Sequence, residues 1–302
     1  MKGRSTTERG MLLMAAGVLM APGIHAIAKS LGDVLSAGQI AWARFIFQCL
    51  FLLPIVLVAH RGSLPGPSLA HAVRGVLIAT ATLFFFWALT YMPLADTAAI
   101  FFVEPLLLTL ISAVFLGEPI GWRRLLAVVI GFLGALIVIR PSFETVGYPA
   151  LAPLVAACCF AVYLAITRRL AQEEDALAMQ FWVCLSSALV LSLAMLIGAG
   201  ASIDVLRPSW PSVQQWSLLG SLGVIALVAH MLAINAFRLA PASILAPFQY
   251  LEIFGATILG IIIFGDIPDT WTVFGITIIV ASGLYVFWRE QTIARKPVSP
   301  SS

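Results

Sequence analysis

Charge is scarce in this 302-residue sequence. Asp, Glu, Lys and Arg together make up 10% of it, while 61% is hydrophobic. Soluble domains carry about 25% charged residues, so composition all but excludes a water-soluble chain. Long polar stretches are lacking too, which leaves no room for a separate extramembrane catalytic or nucleic-acid-binding module. The four cysteines, Cys49, Cys158, Cys159 and Cys184, lie in apolar runs and none forms a C-x-x-C. That favours core packing over a disulfide framework or a metal site. Walker A, H-E-x-x-H and G-x-S-x-G patterns do not occur, so neither an ATP-driven pump nor a hydrolase of those kinds is indicated. The expectation is a non-enzyme without a cofactor.

What the sequence does have is apolar length. A bilayer core takes about 20 apolar residues per helix. Hydrophobic length and Gly/Pro punctuation place ten spans near 11–28, 37–59, 72–91, 97–116, 122–139, 149–168, 177–198, 213–237, 242–264 and 271–288. Strands are not expected, because the runs are too long and do not alternate. The first 28 residues imitate a secretory signal, with Lys2, Arg4 and Arg9 before an apolar run and Ala26-Ile27-Ala28 after it. They are read as a retained first span, because the repeat described next needs them. With the N-terminus in the cytoplasm, only Lys29, Arg44, Arg140 and Arg207 of the 17 Lys and Arg fall on or near the outer side. This is the positive-inside arrangement of a multi-pass inner-membrane protein. Both termini are then cytoplasmic, and 289–302 is a cytoplasmic tail, disordered from Arg295.

The chain repeats itself. At an offset of 148 residues, Pro93 matches Pro241, Glu104 matches Glu252, Gly117 matches Gly265 and Glu118 matches Asp266. One inserted residue then brings Trp122 onto Trp271 and Gly134 onto Gly283. Each half holds five spans, an odd number, so the second half enters the membrane inverted. Inverted repeats with Pro- or Gly-marked helices are a signature of secondary transporters, whose substrate sits near the midplane between the halves.

Three stretches carry a family likeness. They are Val103-Glu104-Pro105 followed by Phe115-Leu116-Gly117-Glu118-Pro119, then Pro247-Phe248-Gln249-Tyr250-Leu251-Glu252 followed by Phe264-Gly265-Asp266, and Ala43-Arg44-Phe45. In these the chain resembles the EamA-type members of the drug/metabolite transporter superfamily, over about residues 10 to 288. The resemblance implies an all-α integral membrane protein of ten transmembrane helices in two inverted five-helix repeats, 10–140 and 149–288. It also implies a central cavity lined mainly by spans 1, 3, 4, 6, 8 and 9. Proteins of this family export amino acids and metabolites, or import compounds such as riboflavin and S-adenosylmethionine.

The residues that stand out are the polar ones in apolar surroundings. A charge at the centre of a span costs about 2.5–3.5 kcal/mol on insertion scales. Glu104 lies roughly 10 Å into its span and Glu252 roughly 15 Å, approaching the midplane from opposite leaflets. They can bind a proton, a cation or a substrate amine, or they can be buried carboxylates paired with Arg44 or capping a helix broken near Pro105. Gln249 shares a face with Glu252. Arg44 either snorkels outward or pairs with Glu104. His25 and Lys29, four apart, either hold an anionic substrate group or are a satisfied histidine and an interfacial anchor. His230 is a proton carrier or a hydrogen-bonded core residue. Thr80, Phe84, Trp87 and Tyr91 form one stripe, which Tyr163 and Tyr250 can join, either to stack on a planar substrate or to pack the core. Glu118 and Asp266 end their spans, where they gate the cavity by pairing with basic neighbours such as Arg123 or stand solvated. The small stripe Ala127, Gly131, Ala135 and the pair Ala256/Gly260 let helices approach closely, within the chain or across a homodimer. The functional expectation is secondary transport of a small organic metabolite by alternating access. A non-transporting membrane scaffold is the alternative, and the partners expected are a small-molecule substrate and the lipid bilayer, not nucleic acid.

Overall fold

The computed structural model describes residues 6–61, 66–116, 122–171, 173–240 and 242–294. The readings of Glu118 and of a disordered segment from Arg295 lie outside the described residues.

Polar turns cut the apolar chain into helices. Ser36 accepts from the Gln39 amide (3.2 Å) to start α2 (Ala37–Ala59). Ser68 and His71 cap one another's backbone to start α3 (Leu69–Leu89). Asp175 accepts from the amides of Leu177 and Ala178 at the head of α8 (Ala176–Ala201). Ser212 and Gln215 do the same reciprocally for α9 (Val213–Leu239). Each cap satisfies amides that a helix start leaves without partners. The other uninterrupted helices are α1 (Thr6–Leu31), α6 (Trp122–Val146), α7 (Ala152–Leu170) and α12 (Thr270–Ala294).

The fourth and ninth spans are each broken in two. The fourth is α4 (Leu94–Phe101) and α5 (Glu104–Leu116); the ninth is α10 (Ala242–Gln249) and α11 (Leu251–Leu259), which runs on into a wider turn, Gly260–Phe264. Pro105 has no N–H for the Phe101 carbonyl, and Pro247 has none for Ser243. The chain crosses the breaks on tighter contacts, Val103 N to Ile100 O and Tyr250 N to Pro247 O, each 3.3 Å.

Ten stretches are long and apolar enough to cross a membrane, and no strand occurs among the described residues. Several helices outrun the expected spans, the first of them at both ends (Thr6–Leu31). The fifth span continues to Val146 and the tenth to Ala294, because hydropathy marks only the bilayer-immersed part, while Arg, Glu and Gln are good helix formers that carry a helix beyond it. Large apolar side chains such as Leu50, Val58, Leu126, Leu196 and Ile262 face outward, as lipid-facing surface requires.

The closest helix pairs each take one member from each half of the sequence: α1 with α9, α2 with α8, α3 with α7, and α6 with α12. The small stripe serves the last of these. Ala127 and Ala135 are buried, and a Cβ on Gly131 would fall 2.1 Å from Leu106 and 2.6 Å from Ser282. A Cβ on Gly275 would lie 2.7 Å from the Gly134 carbonyl. Ala256 is buried in the central core in the same way. These small residues therefore pack within the chain.

Candidate functional site

α1, α2, α3, α7 and α9, together with the two broken spans, surround a cavity with about 1090 Å³ of empty space, mouth included. Its wall is largely apolar and rich in rings: Phe85 and Phe86 from α3, Phe101 and Phe102 at the first break, Phe160 and Tyr163 from α7, and Phe237 from α9. These rings are mutually oriented. Phe85 meets Phe101 edge-on at 5.1 Å, Phe101 lies 5.4 Å from Phe160, and Phe160 lies 5.5 Å from Tyr163.

Seven of the residues singled out in the sequence line this cavity: His25, Arg44, Glu104, Tyr163, His230, Gln249 and Glu252. The two glutamates occupy equivalent places, each in the first turn of the half-helix that follows a break. A break is what turns these side chains toward the cavity while their helices carry on through the bilayer. Glu252 Oε1 lies 3.5 Å from His25 Nδ1, and the His25 ring rests 4.4 Å from Phe85. Glu104 is buried, and its Oε1 has no hydrogen-bond partner among the described residues.

Arg44 neither snorkels nor pairs with Glu104. It is 7% exposed, donates to Thr82 Oγ1 (2.9 Å) and approaches His230 Nε2 (3.5 Å). His230 is turned by its own Nδ1, which bonds the Ala226 carbonyl (2.8 Å). A proton on Nδ1 leaves the Nε2 lone pair facing Arg44. The guanidinium is thus held by neutral groups, and among the described residues no carboxylate lies within 4.0 Å of it. One cavity therefore contains carboxylates and a guanidinium that do not neutralise each other. Both signs are available to a ligand.

The remaining candidates lie elsewhere. Trp87 packs edge-on against Phe84 (6.0 Å) and Tyr91 (6.3 Å), behind the cavity wall. The stripe of α3 that faces the cavity is instead Ile78, Ala81, Thr82, Phe85 and Phe86. Tyr250 stacks on Phe102 (5.8 Å) in a core with Ile253 and Ile279, its hydroxyl in the space that a side chain on Gly283 would fill. Lys29 is not in the cavity wall either. Its ammonium pairs with Asp266 Oδ2 and donates to the Met92 carbonyl (3.2 Å), while the same Asp266 oxygen accepts from Leu94 N (3.3 Å). This joins α1, the start of α4 and the end of the ninth span across the bundle end opposite the chain termini. Nearby, Asp96 on α4 accepts from Thr272 (3.0 Å) and Ser142 (3.4 Å), tying in α12 and α6. Asp266 thus has a basic partner from the first helix, not Arg123.

Sequence reasoning missed two things. It set the cavity face of α3 one residue off, and it counted Arg74 only among the positive charges assigned to the cytoplasmic side. Arg74 is fully buried. Its register, four before Ile78 and eight before Thr82, was the signal available.

The chain matches the EamA-like transporter family twice, over residues 8–140 and 148–288. It belongs to that family. Among its EamA relatives, the S-adenosylmethionine uptake transporter of Rickettsia prowazekii is 30% identical over 88% of this chain and 87% of its own. The riboflavin transporter of Vibrio cholerae is 26% identical over 96% of both. A protein of known crystal structure shares the fold with a TM-score of 0.64, covering 95% of this chain and 99% of its own at 18% identity. As an EamA protein the chain is a multi-pass membrane transporter of a small molecule and not an enzyme.

Proposed function

We propose that this transporter carries a small metabolite with a planar ring system across the inner membrane by alternating access, with S-adenosylmethionine as first candidate and riboflavin as second. The observation that carries this reading is the pair of repeat-related carboxylates, Glu104 and Glu252, placed by two helix breaks in one aromatic cavity that also holds Arg44. A sulfonium or ammonium fits against the glutamates, a purine between Phe85, Phe101 and Phe160, and a carboxylate toward Arg44. Relatives named for S-adenosylmethionine and riboflavin support the choice of candidates. Riboflavin uses the rings but has no carboxylate and no fixed positive charge.

The Lys29–Asp266 contact ties α1 to the end of the ninth span at the end opposite the termini, which supports reading this conformation as shut on that side. In the proposed topology the closed side faces outward and the termini are cytoplasmic, in keeping with the clustering of Lys and Arg near the termini-side loops. Opening moves the broken spans, whose ladders are already interrupted at Phe102–Val103 and Tyr250.

Liposome uptake tests the reading. Reconstituted protein should accumulate labelled S-adenosylmethionine, and Glu252→Gln and Glu104→Gln should each lower kcat/KM by roughly tenfold or more, the scale of one lost hydrogen bond to a charged group, about 1.5–3 kcal/mol. Wild-type rates in both variants at every pH would remove the glutamates from the site. No transport of either compound, in either direction, would remove the substrate assignment.

A further inference from the structure

A second buried guanidinium lies just behind the cavity wall, and the site described above does not use it. Arg74 is 0% exposed, so it is no headgroup anchor. It continues the cavity-facing stripe of α3 toward the termini-bearing end, one turn before Ile78 and two before Thr82. Its Nε donates to Thr167 Oγ1 (3.0 Å), and that hydroxyl donates in turn to the Tyr163 carbonyl (2.7 Å). The guanidinium carbon sits 5.2 Å from the centre of the Tyr163 ring. Thr167 and Tyr163 both line the cavity, so the group is clamped one layer behind the wall, on the termini side, with its plane set by two α7 residues.

The clamp uses only Nε. Nη1 and Nη2 are buried and have no partner among the described residues. Of the three acids that follow α7, Glu174 pairs with His71 Nε2 (2.8 Å), Asp175 pairs with His60 Nε2 (3.5 Å), and Glu173 is exposed, away from the buried guanidinium. A guanidinium fixed through Nε presents its two Nη groups as a parallel pair of donors, the geometry that matches both oxygens of a carboxylate. A point charge for topology alone needs no such fixing.

We propose that Arg74, held by Thr167 and Tyr163 one layer behind the cavity wall, is a carboxylate-binding station on the termini side, uncovered as the transporter moves, where a substrate's carboxylate docks roughly 12 Å along α3 from the Arg44 position. This rests on the transport reading and deepens it. It places amino-acid-like substrates above neutral vitamins, because only the former supply the oxyanion. A substrate crossing the cavity meets two guanidinium positions in sequence, Arg44 beside the breaks and Arg74 beyond them.

The test uses the full-length protein in lipid-free neutral detergent, which removes lipid headgroups as a source of the anion. Thermal stabilisation is titrated with matched pairs: S-adenosylmethionine against its decarboxylated counterpart, and amino acids against their carboxamides. Wild type should need at least tenfold less of the acid than of its counterpart in at least one pair. Arg74→Gln should erase that preference by weakening the acid alone, Arg74→Lys should keep part of it, and Thr167→Val should weaken it. Wild type preferring no acid over its counterpart overturns the station, and this arm stands even where Arg74→Gln does not fold. A preference retained in Arg74→Gln overturns it as well. Riboflavin uptake by liposomes of the same wild-type protein is scored separately, and its presence would leave the transport reading standing while the station falls.

Discussion

Phe85 and Trp87 are two residues apart on α3 and have different jobs. Phe85 stands between His25 and Phe101 in the cavity wall, where stacking on a planar base is worth about 1–3 kcal/mol. Phe85→Ala should therefore raise KM for S-adenosylmethionine by about tenfold. Trp87 packs behind the wall with its indole N–H buried and unpartnered, so Trp87→Phe should leave KM within about twofold and stability nearly unchanged, since it removes a polar group that nothing satisfies. Liposome uptake and a melting curve for each variant check both statements. The carboxylates were legible in the sequence because a charge in an apolar span advertises itself. The face of α3 was not, because the helix is apolar on nearly every side and has no polar stripe to orient it. Arg74 was hidden for a different reason: membrane charge bias already accounts for a positive residue near a span end, so nothing in the sequence demanded a second explanation.

At the scale of elements, the proposed mechanism turns on the two broken spans and the contact between Lys29 and Asp266. Pro105 announced the first break directly, and the repeat carried the inference to Glu252. The partner of Asp266 was not legible, since Lys29 lies 237 residues away and only the fold brings it there. The pair is largely buried, with side chains 17% and 20% exposed, so removing one member leaves the other without compensation. Lys29→Met and Asp266→Asn should each change the uptake rate by fivefold or more. The swap Lys29→Asp/Asp266→Lys should recover only part of the loss, because a lysine at 266 cannot accept the Leu94 amide. A double-mutant cycle on uptake reads this as a coupling of about 0.5–3 kcal/mol. A cycle that closes to zero would mean that the two side chains act separately.

Across the whole molecule, ten spans and an α-only architecture followed from hydropathy alone, and the repeat was visible in a handful of residues. The way the halves associate was not visible. They interleave, each major helix pair drawing on both, because the small residues that allow such close approach, Gly134 and Gly275 among them, say only that something comes near. An even number of spans returns the chain to its starting side. Protease-sensitive tags at the two ends should therefore be cut together, in inverted vesicles and not in intact spheroplasts; cleavage of one alone would break the ten-span topology. The contact at the opposite end has a consequence for energy economy in the cell. One carboxylate oxygen of Asp266 takes both an ammonium and a backbone amide, so opening that end strands three groups at once. On the proposed mechanism, an unloaded carrier meets that cost with no substrate contacts to offset it. In the proposed cycle a single side chain outside the cavity wall thus holds back empty or half-filled turnovers.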